Sequence, residues 1–400
     1  MVRWLIAALG CLVLGAVAPA ALAQNAPGVT ATEIKLGQTQ PYTGPGAPYG
    51  AIGKAELGFF RMVNDKGGIN GRKIKLISLN DKFDPAKTVA LVKKLINVDK
   101  VAAIFSVQGA RNNLAIRQYL NVHGIPQLFT VTGADVAGDF RHYPWTIGGT
   151  PIYRIEAQIY GRYILINHPK AKVAVLYEND GLGKAYLTGL HQAFGAAFDK
   201  HVVKIASYGP GVASIATQLR TLRASGADVL ITAATAKYAI QAITGIYDMG
   251  WHPLHFITFT ASSVPAVLEP AGLAKAKGLI TATSYMNPAE PRWSEDGQLK
   301  PYNDFVKKYL AGDNPANFYY LTGYVLAQAM VRVLRKCGND LSRRNIMIEA
   351  ANLRDFHPVG LLPGVRFFTS PTQYHPIVEA ALERFNGQKW QLFGEVMAGF

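Results

Sequence analysis

From Glu33 onward, short apolar runs alternate with helix-length amphipathic stretches, and polar loops separate them. No other feature constrains the fold as much, because consecutive β–α–β units close only as a parallel sheet with right-handed crossovers. The stretch Val101–Asp135 shows the pattern most clearly. Val101–Phe105 has the length of a buried strand. The polar loop Ser106–Asn112 follows, and then helical spacing that lets Leu114, Ile116, Tyr119 and Leu120 share a face. Gly124 closes that helix. A second buried strand, Ile125–Phe129, runs into the polar loop Thr130–Asp135. If the two strands are parallel neighbours, their loops emerge at one carboxyl edge, where open α/β sheets bind ligands.

The same grammar surrounds this stretch. Glu33–Gly37 alternates like an opening strand, and the Gly-, Pro- and Tyr-rich loop Gln38–Gly50 follows. That loop has neither a Gly-Lys-Ser/Thr ending nor G-x-G-x-x-G spacing, which argues against a nucleotide site. A helix over Ile52–Lys66, a turn at Gly67–Arg72 and a strand over Ile74–Leu79 come next. Asp81 and Asp84 invite a metal or acid–base reading, but Pro85 at a first helical turn makes Asp84 an N-cap. After Tyr143–Ile147 the alternation restarts and continues to the strand His255–Thr260. The chain therefore reads as two α/β units in tandem.

Met1–Ala23 reads as a secretory signal, with Arg3, an apolar core over Leu5–Val17 and Ala21-Leu22-Ala23 before the cut. The apolar run is too short for a membrane span of about 20 residues. Cys11 lies too early in that run for a lipoprotein site, and Cys337 alone would remain in the mature chain. Export without an intramolecular disulfide fits a bacterial periplasm and a large core. The mature chain exceeds one ordinary domain of about 100–200 residues, so two lobes are expected.

The net charge of +15 is spread over pairs such as Lys93-Lys94, Lys307-Lys308 and Arg343-Arg344. With no basic stripe interleaved with aromatics, this points to solvated helix faces rather than nucleic acid. His252 and His255 flank Pro253, which forbids a regular helix between them, and no acidic or thiol ligand is near. Neither a G-x-S-x-G elbow nor an H-E-x-x-H pair occurs, and Ser262-Ser263 reads as a helix cap. The sequence thus implies no enzyme, no metal and no cofactor.

Several segments in order resemble the extracytoplasmic solute-binding proteins of the branched-chain-amino-acid (Leu/Ile/Val) type, class I, that serve ABC importers. They are Ile34–Gly37 leading to Tyr49-Gly50, Asn64–Gly71, Asp81 through Asp84-Pro85, Gly124-Ile125-Pro126, and Tyr177–Asp180 with Gly183. Leu361–Gly364 and Thr369–Tyr374 resemble a subgroup more often associated with aromatic and other organic acids. The resemblance implies two Rossmann-like lobes joined by three crossovers, here near Ile147–Ile152, Lys277–Thr281 and His357–Val365. Lobe one would be 24–147 plus 281–357, and lobe two 148–280 plus 358–400.

The resemblance also implies a site. Lobe one would grip a carboxylate with Gln108, Ala110, Arg111, Thr132, Gly133 and Ala134. Arg111 departs from the family's small hydroxyl residues and could bind an anion bidentately, point to solvent or pair with Asp135. Tyr42 and Tyr49 would border the cleft, and lobe two would add Asp180, Leu182, Thr235 and Thr260. Thr258–Ser262 lacks the carboxylate that amino-acid binders set against the ligand ammonium. Burying an ammonium without a counter-charge costs several kcal/mol. The expected ligand is therefore a small organic carboxylate, aromatic acids among the candidates, captured by a monomer in the periplasm for an ABC permease. The alternatives are a branched-chain amino acid or amide, the amino acid being disfavoured unless Asp180 supplies the counter-charge, and a periplasmic sensor subunit for the same ligand.

Overall fold

The computed structural model describes residues 25–295 and 297–399. The expected signal peptide, its cleavage site and Cys11 lie outside the described residues.

Two sheets organise the chain. The first comprises β1 (Glu33–Gln40), β2 (Lys73–Asn80), β3 (Ala103–Phe105), β4 (Gln127–Thr130) and β5 (Thr146–Gly148), in the order β2-β1-β3-β4-β5. Every pairing is parallel, as the alternation requires. The expected neighbours β3 and β4 are adjacent, and both are buried throughout. Continuous apolar strands belong in such central positions, whereas the more exposed β2 takes an edge.

The second sheet comprises β6 (Val173–Glu178), β7 (Val202–Tyr208), β8 (Val229–Ala233), β9 (Leu254–Ile257), β10 (Ile280–Thr283), β11 (Glu379–Phe385) and β12 (Trp390–Ala398). Their order is β12-β11-β10-β9-β8-β6-β7. β6 to β10 run parallel, and the C-terminal hairpin β11–β12 adds antiparallel at the β10 edge. The chain passes to the second sheet after β5, returns after β10, and goes back before β11.

One expected crossing is displaced. Thr281 pairs with Glu383 inside the second sheet, so Lys277–Thr281 leads into β10 and the passage begins at Ser284. Ile280–Thr283, an Ile-Thr-Ala-Thr run buried throughout, extends the second sheet through the position where the resemblance put the crossing. The outgoing and returning passages hold each other: Met286 N–H donates to Gly360 O at 2.9 Å and Leu362 N–H to Ser284 O at 2.9 Å.

After β10 the helices Lys300–Tyr309, Phe318–Lys336 and Arg343–Ala350 rejoin the first unit. Phe318–Lys336 lies so close to helix Gly50–Asp65 that a Cβ at Gly323 would stand 2.4 Å from Ile52 O. Only glycine permits that approach. Asp84 caps helix Pro85–Asn97 as expected, accepting from Ala86 N–H at 2.9 Å. Asp81 is buried beside it and accepts from Thr88 and Asn112, which places it in a packed polar network. His255 lies buried in β9 against the Thr232 hydroxyl at 2.8 Å, and His252 is exposed. Ser263 caps the turn Val264–Leu268, accepting from Ala266 N–H.

Candidate functional site

The carboxyl ends of β3 and β4 lie side by side, and Gln108 bridges Val131 just beyond them. Gly109, with φ +97°, turns the chain into helix Ala110–Val122. That helix has no side-chain cap and no acidic residue in its first turn. Its bonding ladder starts with Asn113 N–H to Gly109 O, so the preceding N–H groups and the positive helix end are uncompensated.

The facing helix ends of the second unit are different. Asp180 caps helix Gly181–Phe194 by accepting from Leu182 N–H at 2.9 Å and Gly183 N–H at 3.4 Å. Glu178, buried, accepts from the Thr235 hydroxyl at 2.8 Å at the start of helix Ala236–Asp248. Burial holds both carboxyls above their usual range. Negative charge is thus already supplied on the second side and missing on the first. An uncapped helix end of this kind is favourable to an anion.

The two units touch across this gap. A Cβ at Gly181 would stand 3.2 Å from the Cβ atoms of both Ala110 and Ala134. The Tyr49 hydroxyl, from the first unit, accepts from Ala236 N–H at 2.9 Å, and its ring packs edge-on against Tyr319. Burial pushes the Tyr49 phenol well up. Between the units lies a cavity lined by Tyr49, Gln108, Thr150, Tyr153, Glu156, Phe259, Thr260 and Tyr319 among others. It measures about 20 Å³, room for little more than one water. The two sides are closed on one another.

Gln108 and Thr150 line that cavity with polar atoms that have no partner: Gln108 Oε1 and Thr150 Oγ1 are buried and unbonded. Thr39 Oγ1 and Thr130 Oγ1, on β1 and β4, share that condition. Buried polar atoms are nearly always paired, so such a group beside a cavity marks where a polar partner belongs.

The residues singled out in the sequence divide accordingly. Tyr49, Gln108 and Thr260 line the cavity, with Thr260 O accepting from Tyr319. Ala110 and Ala134 do not line the cavity but meet Gly181 across the two units. Thr132 is buried and accepts from Ala134 N–H, and Gly133 O accepts from Tyr153 N–H. Leu182 packs with Ala110, Ala134 and Tyr153 in one buried cluster. Asp180 and Thr235 serve the helix ends. Tyr42 lies away from the cavity, its hydroxyl 2.5 Å from Ser78 Oγ and its phenol pushed up to about 12 by burial. Arg111 is exposed and does not line the cavity. Asp135, its other expected partner, pairs instead with Arg154 at 2.9 Å.

Sequence reasoning missed Glu156. From the first turn of helix Tyr153–Asn167 it enters the cavity fully buried, accepting from Tyr160 OH at 2.7 Å, Phe259 N–H at 2.5 Å and Thr258 Oγ1 at 3.4 Å. Burial raises its carboxyl to about 7. The segment Thr258–Ser262 carries no carboxylate of its own, but Glu156 contacts it. A glutamate set among Ile155, Ala157 and Ile159 at the start of that helix was the available signal.

A family model described as periplasmic binding protein matches residues 33–388. The chain is 25% identical over 316 residues to Leu/Ile/Val-binding protein homolog 7 of Brucella abortus (strain 2308), covering 76% of this chain and 77% of that one. It is 25% identical over 345 residues to an amino acid binding protein of Pseudomonas aeruginosa, covering 83% and 85%. Among solved structures, a substrate-binding periplasmic protein from Ralstonia solanacearum shares the fold with a TM-score of 0.79 at 23% identity, over 92% of this chain and 100% of that one. A branched chain amino acid ABC transporter protein from Thermus thermophilus with bound valine gives a TM-score of 0.80 at 17% identity, over 92% and 97%.

Proposed function

Because the chain belongs to the periplasmic binding protein family, we propose that it captures a small organic carboxylate between its two sheets and delivers it to an ABC permease. Lobe one then comprises 24–147 and 284–357, and lobe two 148–283 and 358–400. The exported protein acts as a monomer in the periplasm and leaves its ligand chemically unchanged.

One observation carries the reading. Gln108 and Thr150 bring unpartnered polar atoms to the inter-sheet cavity, and Gln108 lies just before a helix end that has no acidic cap. A carboxylate there would accept from the free N–H groups of helix Ala110–Val122, from the Thr150 hydroxyl, and from Gln108 Nε2 once the amide turns Nε2 in place of Oε1 toward it. Tyr49, Tyr153 and Phe259 offer walls for an apolar body, and aromatic acids suit such walls.

Glu156 favours a second reading. A carboxylate already held in the cavity could face a ligand ammonium, and the relatives named as Leu/Ile/Val- and amino-acid-binding proteins fit that use.

The test is a thermal-shift panel on ligand-stripped protein. A ligand at 100 times its dissociation constant stabilises by about 2.7 kcal/mol. Stabilisation by benzoate- or hexanoate-type acids, with none from leucine or valine, supports the organic-acid reading. Stabilisation by leucine or valine alone selects the amino-acid reading.

A further inference from the structure

Behind the inter-sheet cavity lies a second recess, lined by Phe259, Thr283, Tyr285, Phe318, Glu383 and Trp390 among others. Phe259 and Phe318 line both spaces, with ring centroids 4.7 Å apart, so they form the partition between them. Glu383 stands on β11 opposite Thr281 and is only 4% exposed. Among the described residues its carboxylate makes no hydrogen bond and no ion pair.

Several donors around it are committed elsewhere, while the buried Tyr285 hydroxyl, also in the lining, has no partner. Trp390 Nε1 donates to Ser262 O at 2.8 Å, and Thr283 Oγ1 to Tyr285 O at 3.2 Å. Arg292 pairs with Glu290 at 2.9 Å, and Trp293 Nε1 also donates to Glu290. A buried carboxylate without a partner is costly. The rings around it add the other half of a cation site: Phe259 and Tyr285 lie parallel at 5.3 Å, and aromatic faces attract cations.

We propose that this recess is a subsite for a cationic group, a primary or methylated ammonium, carried by the ligand at some remove from its carboxylate. The proposal rests on the carboxylate-binding reading of the cleft and extends it: the ligand class becomes an acid with a separate ammonium group. The recess measures about 10 Å³ in this closed arrangement. Its walls come from both sides, Phe318 from a helix packed on the first unit and Glu383 from the second sheet, so the recess lies on the junction of the two units.

The probes are butylammonium and tetramethylammonium chloride, with 1-butanol as the neutral match to the former. The readout is the Trp390 indole N–H signal in a nitrogen–proton correlation spectrum, assigned with Trp390→Phe. The proposal expects a saturable shift with the ammonium salts, none with the alcohol, and at least tenfold weaker binding in Glu383→Gln. Ala316→Leu, which narrows the recess and leaves the carboxylate in place, should weaken it comparably. No shift with either salt, an equal response to the alcohol, or undiminished binding in both folded variants overturns it. These probes carry no carboxylate, so they report on the recess whether or not the cleft takes acids, and the two readings fail separately.

Discussion

Tyr49 and Ala236 join the two halves of the molecule: the phenol oxygen of the first unit accepts the first N–H of a second-unit helix at 2.9 Å. Removing that oxygen leaves a buried N–H at a helix start without a partner, at a cost of about 1–3 kcal/mol. The penalty falls on the closed form, because opening exposes the same N–H to water. Tyr49→Phe should therefore weaken ligand affinity about 5- to 100-fold, the equivalent of that energy. Calorimetric titration checks this, with unfolding of the ligand-free protein as the control for damage to lobe one.

Gly181 sets how closely the lobes approach. With Ala110 and Ala134 only 3.2 Å from where its Cβ would stand, a leucine side chain cannot fit between them. Gly181→Leu should hold the lobes apart and abolish binding while each lobe keeps its secondary structure. Circular dichroism and ligand titration on the same sample separate those effects.

Gln108 and Arg111 should respond differently. Hydrogen bonds to charged groups contribute about 1.5–3 kcal/mol, so Gln108→Ala should lower carboxylate affinity by at least tenfold. Arg111 is exposed and acts through its charge, which also reaches Asp180. Surface charges of this kind are screened by salt. Arg111→Ala should change affinity by less than about threefold at physiological salt, and more at low salt. Equal losses from both variants would put the guanidinium on the ligand.

Glu156 gives a pH signature. Its carboxyl, raised to about 7 by burial, binds its proton more tightly in the folded chain than in the unfolded one. Its contribution is therefore full below the ordinary carboxyl range and is lost as pH rises through about 7. Between pH 5 and pH 8 the wild type should lose on the order of 2–3 kcal/mol more stability than Glu156→Gln. Denaturant unfolding at the two pH values measures the difference, and the comparison with the variant cancels other buried acids such as Glu383.

Local pattern carried most of the fold. Strand and helix periods placed β1 to β4 and β6 to β9 but not the short β5, and the loops after β3 and β4 meet at one edge because those strands are parallel neighbours. Long-range partnership was less legible. Thr281 looked like a boundary because its antiparallel partner, Glu383, comes from a strand a hundred residues on. The site followed the same rule. Gln108 and Tyr49 could be found from strand-end position, whereas Glu156 enters the cavity through the crossing angle of its helix, which no period encodes. Arg111 shows the converse: its chemistry suits an anion, but its place on the helix surface leaves it exposed.

The most direct test of carboxylate capture by closure is small-angle X-ray scattering of the ligand-stripped mature protein, titrated with the acid that stabilises it most. The account predicts a fall in the radius of gyration that saturates with binding in the wild type and is absent in Gly181→Leu. Stabilisation by the acid with no compaction would contradict it, placing the ligand outside the space between the lobes.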